Sequence, residues 1–227
     1  MPAILSKNEL KRPFTLNSGH VASPLFNSIY LFADSGEVGE KPNTITDLLG
    51  RHNINMTYGT VGGLIGDGDL QLADNGNGKT NTYGEIVGVD QAWSSGLQER
   101  SRIYLIDTIF KVNTRNYQNL FDGPGIVIRW VKSTGVLSIQ IENASSHRVS
   151  ATYIPSDNER LVIGMVINQT NATAYIAVNG ISLTTSVNGT PFIGSQTKPS
   201  YNRWLGRQNS WNNYYGWDGA LNIFGFG

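Results

Sequence analysis

The chain has 227 residues, of which 39% are hydrophobic and 15% charged, with 17 basic residues balancing 17 acidic ones. A neutral chain lacks the basic surface that nucleic-acid-binding proteins and proteins held at anionic membranes require. The sequence contains no cysteine, which excludes disulfides and thiolate chemistry, and no run approaches the ~20 apolar residues of a bilayer-spanning helix.

Within the first fourteen residues, the stretch SKNELKRP is polar, carries Lys7, Lys11 and Arg12, and ends at Pro13. This segment has no apolar face long enough to dock as a stable helix, so we predict an N-terminal arm over residues 1–14. We expect the arm to contact a partner through Lys7, Lys11, Arg12 and Phe14. Residues 15–227 show no linker or internal repeat and are predicted to form one domain.

From residue 28 onward the patterns are those of β-strands. The run SIYLFAD is short and apolar, and a turn is expected at Gly50. Ile54, Met56 and Tyr58 then alternate with polar residues, which is typical of a half-buried strand. A further short strand is predicted between the glycine turns of GDGDLQLADNGNG.

The second half of the chain contains longer strands. SRIYLIDTIFKV is predicted as one strand, and GIVIRWVKSTGVLSIQIEN as a hairpin that turns at residues 133–135. RLVIGMVINQTNATAYIAVNGISLTT predicts two strands meeting at residues 169–171 and a type I′ turn at Asn179-Gly180. About a dozen such strands at short spacing, without an amphipathic helix, predict an all-β, antiparallel two-sheet β-sandwich.

Aromatic residues and asparagines are concentrated near the C-terminus. We expect Trp204 and Trp217 to lie in the core, and Leu221 and Ile223 to share the buried face of the last strand. The loop before that strand is the predicted contact surface for a partner or a glycan, since exposed Trp and Tyr favour such contacts. Its residues are Trp211, Asn212, Asn213, Tyr214 and Tyr215.

Two loops carry patterns that are known from ligand sites. Residues 73–80 fit a relaxed phosphate-loop pattern, but the β-like sequence that follows favours an Asn/Gly-rich hairpin loop. Asp67 and Asp69 offer oxygen ligands for calcium, but no glutamate closes a calcium loop, and a turn with solvated acids is favoured. We therefore predict no cofactor, with calcium as the alternative, and no metal site.

No arrangement of residues predicts catalysis. A glycanase needs two carboxylates on one face, whereas Glu85 and Asp90 are five residues apart and Asp107 stands alone. His20, His52 and His147 are far apart and lack neighbours at metal-ligand spacing. The chain is accordingly predicted not to be an enzyme.

Three segments resemble a known fold family: IVIRWVKSTGVLSIQIE, RLVIGMVINQTNATAYIAVNGISL and RWLGRQNSWNNYYGWDGALNIFGFG. In the second, Tyr175, Asn179 and Gly180 carry the likeness to the laminin-G-like, concanavalin A-like jelly rolls. The first half is similar to the opening of laminin-G-like structural proteins of tailed bacteriophages, through Leu16, Asn17, His20, Leu25, Asp47, Leu48 and Gly50. The resemblance implies that residues 15–227 are a laminin-G-like jelly roll.

The resemblance and the missing catalytic cluster lead to a functional prediction. We predict a non-enzymatic virion structural protein, capsid-decorating or tail-associated, which assembles in the host cytoplasm and acts as a homo-oligomer through contacts with other virion proteins. The alternative is a carbohydrate-binding, lectin-like module that recognises host-surface glycans, and a glycanase is less favoured. Neither nucleic acid nor a membrane is expected as a partner.

Overall fold

The structure is a computed structural model, and it describes residues 26, 28–32, 36–50, 52–59, 62–64, 69–72, 82–86, 102–112, 117–123, 126–144, 147–168, 173–188, 203–206 and 216–227. These residues form seventeen β-strands. Among them, no helix is long and apolar enough to cross a membrane.

The strands are given in chain order. The first six are β1 (Ser28–Leu31), β2 (Thr44–Ile45), β3 (Ile54–Thr57), β4 (Gly63–Leu64), β5 (Leu70–Leu72) and β6 (Tyr83–Ile86). The next six are β7 (Arg102–Phe110), β8 (Tyr117–Gly123), β9 (Ile126–Val131), β10 (Val136–Ala144), β11 (His147–Tyr153) and β12 (Arg160–Asn168). The last five are β13 (Thr173–Val178), β14 (Ile181–Ser182), β15 (Ser186–Asn188), β16 (Arg203–Leu205) and β17 (Gly219–Phe226).

The strands form two sheets. Sheet I has the order β14-β13-β12-β7-β17-β5-β4, and β1 also pairs with β17. Sheet II has the order β15-β11-β10-β9-β8-β16-β6-β3-β2. Neighbouring strands are antiparallel, as in the β7–β12 and β9–β10 pairs. The predicted antiparallel β-sandwich is therefore confirmed.

The core lies between the two sheets and is rich in aromatic rings. Phe110 of sheet I and Trp130 of sheet II have ring centroids 5.4 Å apart. Phe121 of sheet II and Phe224 of sheet I are 5.3 Å apart. Because alternate residues of a strand face the same side, strands such as β7, β10 and β12 each contribute an apolar row to this layer. The alternation predicted for β3 is confirmed, since Ile54 is fully buried while Asn55 and Thr57 are exposed.

Three of the predicted turns are described and present, whereas the turn predicted at residues 169–171 lies outside the described residues. Residues 132–135 form the turn of the β9–β10 hairpin, and the backbone N–H of Gly50 donates to Asp47 O at 2.9 Å. Asn179 and Gly180 have φ angles of 51° and 77°, as a type I′ turn requires. Asn179 also uses its side chain, because its Oδ1 accepts the backbone N–H of Val162 at 2.8 Å.

One prediction about the last strand is wrong. Leu221 is fully buried, but Ile223 is only half-buried and does not share its face. The register with β7 shifts between these two residues, because Leu221 pairs with Thr108 and Ile223 pairs with the next residue, Asp107. The β-bulge at Asn222 reverses the alternation, so that Phe224 rather than Ile223 enters the core.

Candidate functional site

One end of the sandwich contains Gly206 and Gly216, the described residues on either side of the aromatic segment that the sequence singles out. There β7 ends at Phe110, and β17 begins opposite it at Gly219. β8 begins and β16 ends at the same end, since β16 is antiparallel to β8. We call this the loop end of the sandwich, because residues 207–215 connect β16 to the segment before β17.

The two bases of this loop are hydrogen-bonded to each other. The backbone N–H of Trp217 donates to Gly206 O at 3.2 Å. The N–H of Gly206 in turn donates to Leu120 O of β8 at 2.7 Å. The loop therefore leaves sheet II beside β8 and returns to the same place, on a closed stem.

The Trp217 side chain anchors the stem in the core, as predicted. The side chain is fully buried, and its ring centroid lies 5.4 Å from that of Phe110. Its Nε1 donates to the hydroxyl of Thr108 at 3.2 Å, and that hydroxyl donates to Ala220 O at 2.6 Å. Burial of the indole thus leaves its polar N–H satisfied. The predicted position of Trp204 cannot be compared, since its side chain lies outside the described residues.

A buried glutamine joins the stem to β7. Gln118 is fully buried, and its Nε2 donates to Lys111 O at 2.9 Å. Its Oε1 accepts the backbone N–H of Asp218 at 2.9 Å. The N–H of Lys111 also donates to Asp218 O at 3.1 Å. Both hydrogen-bonding ends of this amide are therefore used to hold the stem.

A polar patch lies on the opposite face of β8, away from the core. The guanidinium carbon of Arg129 lies 5.6 Å from the ring centroid of Tyr117, a cation–π contact. The Nε of Arg129 donates to Asn119 Oδ1 at 2.7 Å. Asn119 is fully buried, and its Nδ2 has no hydrogen-bond partner. We call these three residues the Tyr117–Asn119–Arg129 patch.

Arg129 and Arg160 of sheet I differ in whether a described carboxylate neutralises their charge. Arg160 donates through Nε to Asp107 Oδ1 at 2.8 Å and through Nη2 to Oδ2 at 2.5 Å. The hydrogen bond that Arg160 donates to Asp107 raises the pKa of Arg160. Within the described part of the chain, no carboxylate forms a salt bridge with Arg129. Among the described residues, the Nε of Arg129 has a hydrogen-bond acceptor, and its two terminal nitrogens have none.

The residues predicted to make contacts are not covered by the described structure. Trp211, Asn212, Asn213, Tyr214 and Tyr215 lie outside the described residues, as do Lys7, Lys11, Arg12 and Phe14 of the arm. The structure shows the stem of the aromatic loop instead. Sequence reasoning missed Gln118 and the patch, because a polar residue within a strand looks the same whether it clamps a loop or faces water.

Two of the acidic residues considered for metal binding or catalysis, Asp69 and Asp107, have structural roles. Asp69 is 6% exposed and accepts a hydrogen bond from Asn222 Nδ2 at 2.6 Å. The sequence predicts that Asp107 stands alone, but in the structure it is paired with Arg160. Residues 73–80, Asp67 and Asp90 lie outside the described residues. Across the ranges that the structure covers, no three His, Asp or Glu side chains are grouped so that they could hold a metal ion.

His52 packs against the end of the core. Its ring stacks on Phe226 with centroids 6.4 Å apart, and its carbonyl accepts the Tyr30 hydroxyl at 2.8 Å. Asp47, which is 1% exposed, accepts the backbone N–H groups of Ile29 at 2.8 Å and of His52 at 3.2 Å. These contacts hold the β2–β3 connection to β1. His20 and the side chain of His147 lie outside the described residues.

No protein-family model matches the chain, and no curated protein matches it by sequence. Solved structures match it by fold. The binding domain of botulinum neurotoxin DC in complex with SialylT has a TM-score of 0.62 at 12% identity, and the match covers 89% of this chain and 47% of that chain. A botulinum neurotoxin type C structure, for which cell entry is described as dependent upon interaction with two ganglioside molecules, has a TM-score of 0.61 at 12% identity over 90% of this chain and 48% of that one.

The fold is not restricted to these toxins. Trypanosoma rangeli sialidase in complex with a difluoro sugar acid matches with a TM-score of 0.61 at 10% identity, over 89% of this chain and 30% of the sialidase. This chain spans about half the length of the two botulinum neurotoxin chains. At such identities the similarity establishes the β-sandwich fold and nothing finer.

Proposed function

We propose that the chain is a non-catalytic carbohydrate-binding module whose site is the loop end of the sandwich. The observation that carries this proposal is the stem of the 207–215 loop, which is closed by Gly206 and Trp217 and clamped by Gln118. Binding is stronger when the contact surface is held in place beforehand, because less conformational entropy is lost on association. A loop rich in Trp, Tyr and Asn on such a stem suits sugar recognition.

The chemistry of the loop end matches that of a sugar. Aromatic rings of Trp211, Tyr214 and Tyr215 offer flat apolar faces to the C–H side of a pyranose, and asparagine amides both donate to and accept from its hydroxyls. Gly206 starts the loop one strand away from the Tyr117–Asn119–Arg129 patch. The guanidinium of Arg129 adds donors for a hydroxyl or a sugar carboxylate. Two of the structural neighbours are associated with a ganglioside or a sugar acid, which agrees with this proposal.

A glycan array tests the proposal. We expect the full chain to bind a subset of glycans, and Trp211→Ala to weaken that binding by about tenfold, the equivalent of ~1.4 kcal/mol. Tyr175→Ala is the matched control, because Tyr175 is a 67% exposed aromatic of β13 in the other sheet. An array without binding, or equal effects of the two substitutions, would overturn the proposal.

The virion role is a second candidate. It is supported by the sequence resemblance to structural proteins of tailed bacteriophages, which includes Asp47, Leu48 and Gly50. A capsid- or tail-associated protein that also contacts host glycans would satisfy both proposals. Mass spectrometry of purified phage particles whose genome encodes this chain is the test. The chain should be present at a copy number set by capsid or tail symmetry. Its absence from the particles would remove this candidate.

A further inference from the structure

The outer face of sheet II carries a row of hydrogen-bonding side chains near the loop end. Asn119 of β8 pairs in register with Arg129 of β9, Arg129 pairs with Ser138 of β10, and Ser138 pairs with Thr152 of β11. Trp130, which follows Arg129, is buried in the core, so Arg129 and its row face away from the core. Four neighbouring strands thus place one guanidinium among uncharged amide and hydroxyl groups. We call these four residues the polar row.

Two contacts orient the guanidinium of Arg129. Its Nε donates to Asn119 Oδ1 at 2.7 Å, and its central carbon lies 5.6 Å from the ring centroid of Tyr117. The first contact occupies the Nε edge of the group, and the second restrains it over the ring. A guanidinium has five N–H donors, and its two terminal nitrogens can bind a carboxylate through two parallel hydrogen bonds.

Asn119 is an unusual partner for this cation. Its side chain is fully buried, its Oδ1 accepts from Arg129, and its Nδ2 has no hydrogen-bond partner. A buried N–H donor without an acceptor destabilises the fold. Aspartate would have the same shape, would lack that donor and would form a salt bridge with Arg129, but it would also neutralise the cation. The asparagine therefore positions the guanidinium and leaves its positive charge in place.

We propose that the glycan bound at the loop end is acidic, and that the terminal nitrogens of Arg129 bind its sugar carboxylate. This inference rests on the proposed glycan-binding function and adds the chemical class of the ligand. Gly206, the last described residue before the aromatic segment, lies beside β8, and Arg129 lies on the far side of β8. Two strand spacings, or ~10 Å, separate them. A short oligosaccharide spans that distance, so one ligand contacts both the loop end and the polar row.

Paired glycans test the proposal without any substitution. The full-length protein is titrated with oligosaccharides that contain a uronic or sialic acid, and with the same oligosaccharides after reduction of the carboxylate to an alcohol. We expect the reduction to weaken binding at least about tenfold, because charge-assisted hydrogen bonds are lost. Equal binding of the acid and the alcohol would overturn the proposal, and so would binding that follows sulfate groups in a sulfated series.

Substitutions then locate the charge. The acid-to-alcohol ratio of affinities should fall to about one in Arg129→Gln and in Asn119→Asp, because each variant lacks an available cation at this position. Asn119→Asp should not lower Tm, since it replaces the unpartnered donor by a salt bridge, whereas a purely structural role of Asn119 would predict a lower Tm and an unchanged ratio. Lys132→Gln is the matched control, because it removes one positive charge from an exposed residue of the β9–β10 turn.

The outcomes separate this inference from the function on which it rests. A ratio that Arg129→Gln or Asn119→Asp leaves unchanged, or that Lys132→Gln lowers equally, would overturn the inference. Binding of neutral glycans without preference for an acid would overturn it and leave the proposed function standing. Absence of binding to every glycan would overturn both.

Discussion

Replacement of Gln118 by leucine is expected to loosen the stem of the aromatic loop. The substitution introduces an apolar side chain of similar size and removes both hydrogen bonds of the amide. Lys111 C=O and Asp218 N–H then lose their side-chain partner at the edge of the core. A buried polar group left without a partner costs about 1–3 kcal/mol. The added apolar side chain offsets part of this cost, so we expect a net loss of about 2–4 kcal/mol.

Thermal and urea unfolding measure this loss. For a chain of this size a loss of 3 kcal/mol lowers Tm by about 6–12 °C. Gln71→Leu is the matched control, because Gln71 of β5 is only half-buried and its side chain has no hydrogen bond to another described residue. A Gln118→Leu loss below about 0.5 kcal/mol, or a loss equal to that of Gln71→Leu, would show that Gln118 does not clamp the stem.

Two further predictions concern a turn and a buried phenol. Asn179→Gly keeps the positive φ angle but loses the hydrogen bonds to Val162 N and Arg160 O, which should lower the free energy of unfolding by about 1 kcal/mol. Asn179→Ala should lower it by about 1 kcal/mol more, because alanine is strained at that φ angle. Urea unfolding that ranks the alanine variant as the more stable one would contradict this prediction. Burial raises the pKa of Tyr58 above its ordinary value of 10.0, and its hydroxyl donates to Pro42 O at 2.8 Å. The folded state thus keeps a proton that the unfolded chain releases, so this contribution to stability is complete below about pH 10 and declines as the pH rises further. Tyr58→Phe should show a smaller decline between pH 9 and 11 in urea unfolding, and identical slopes would refute the assignment.

The sequence by itself predicts the fold class because the signals for it are local. The alternation of Ile54 and Met56 with polar neighbours depends only on the two-residue period of a strand. The turn at Asn179-Gly180 depends on the φ angles that these two residues tolerate. The burial predicted for Trp217, made together with that for Trp204, follows from the size of the side chain. These features need no knowledge of which strand lies beside which.

Only the tertiary structure decides the features that depend on pairing between distant parts of the chain. Ile223 leaves the core because a bulge against β7 shifts its register, and nothing in the local pattern marks that shift. Asp107 is neutralised by Arg160, and Gln118 holds Asp218, one hundred residues away along the chain. The candidate site follows the same division. Its aromatic residues are visible in the sequence, whereas the stem formed by Gly206, Trp217 and Gln118 and the position of Arg129 result from strand order. Strand order brings together groups whose separation along the chain carries no signal.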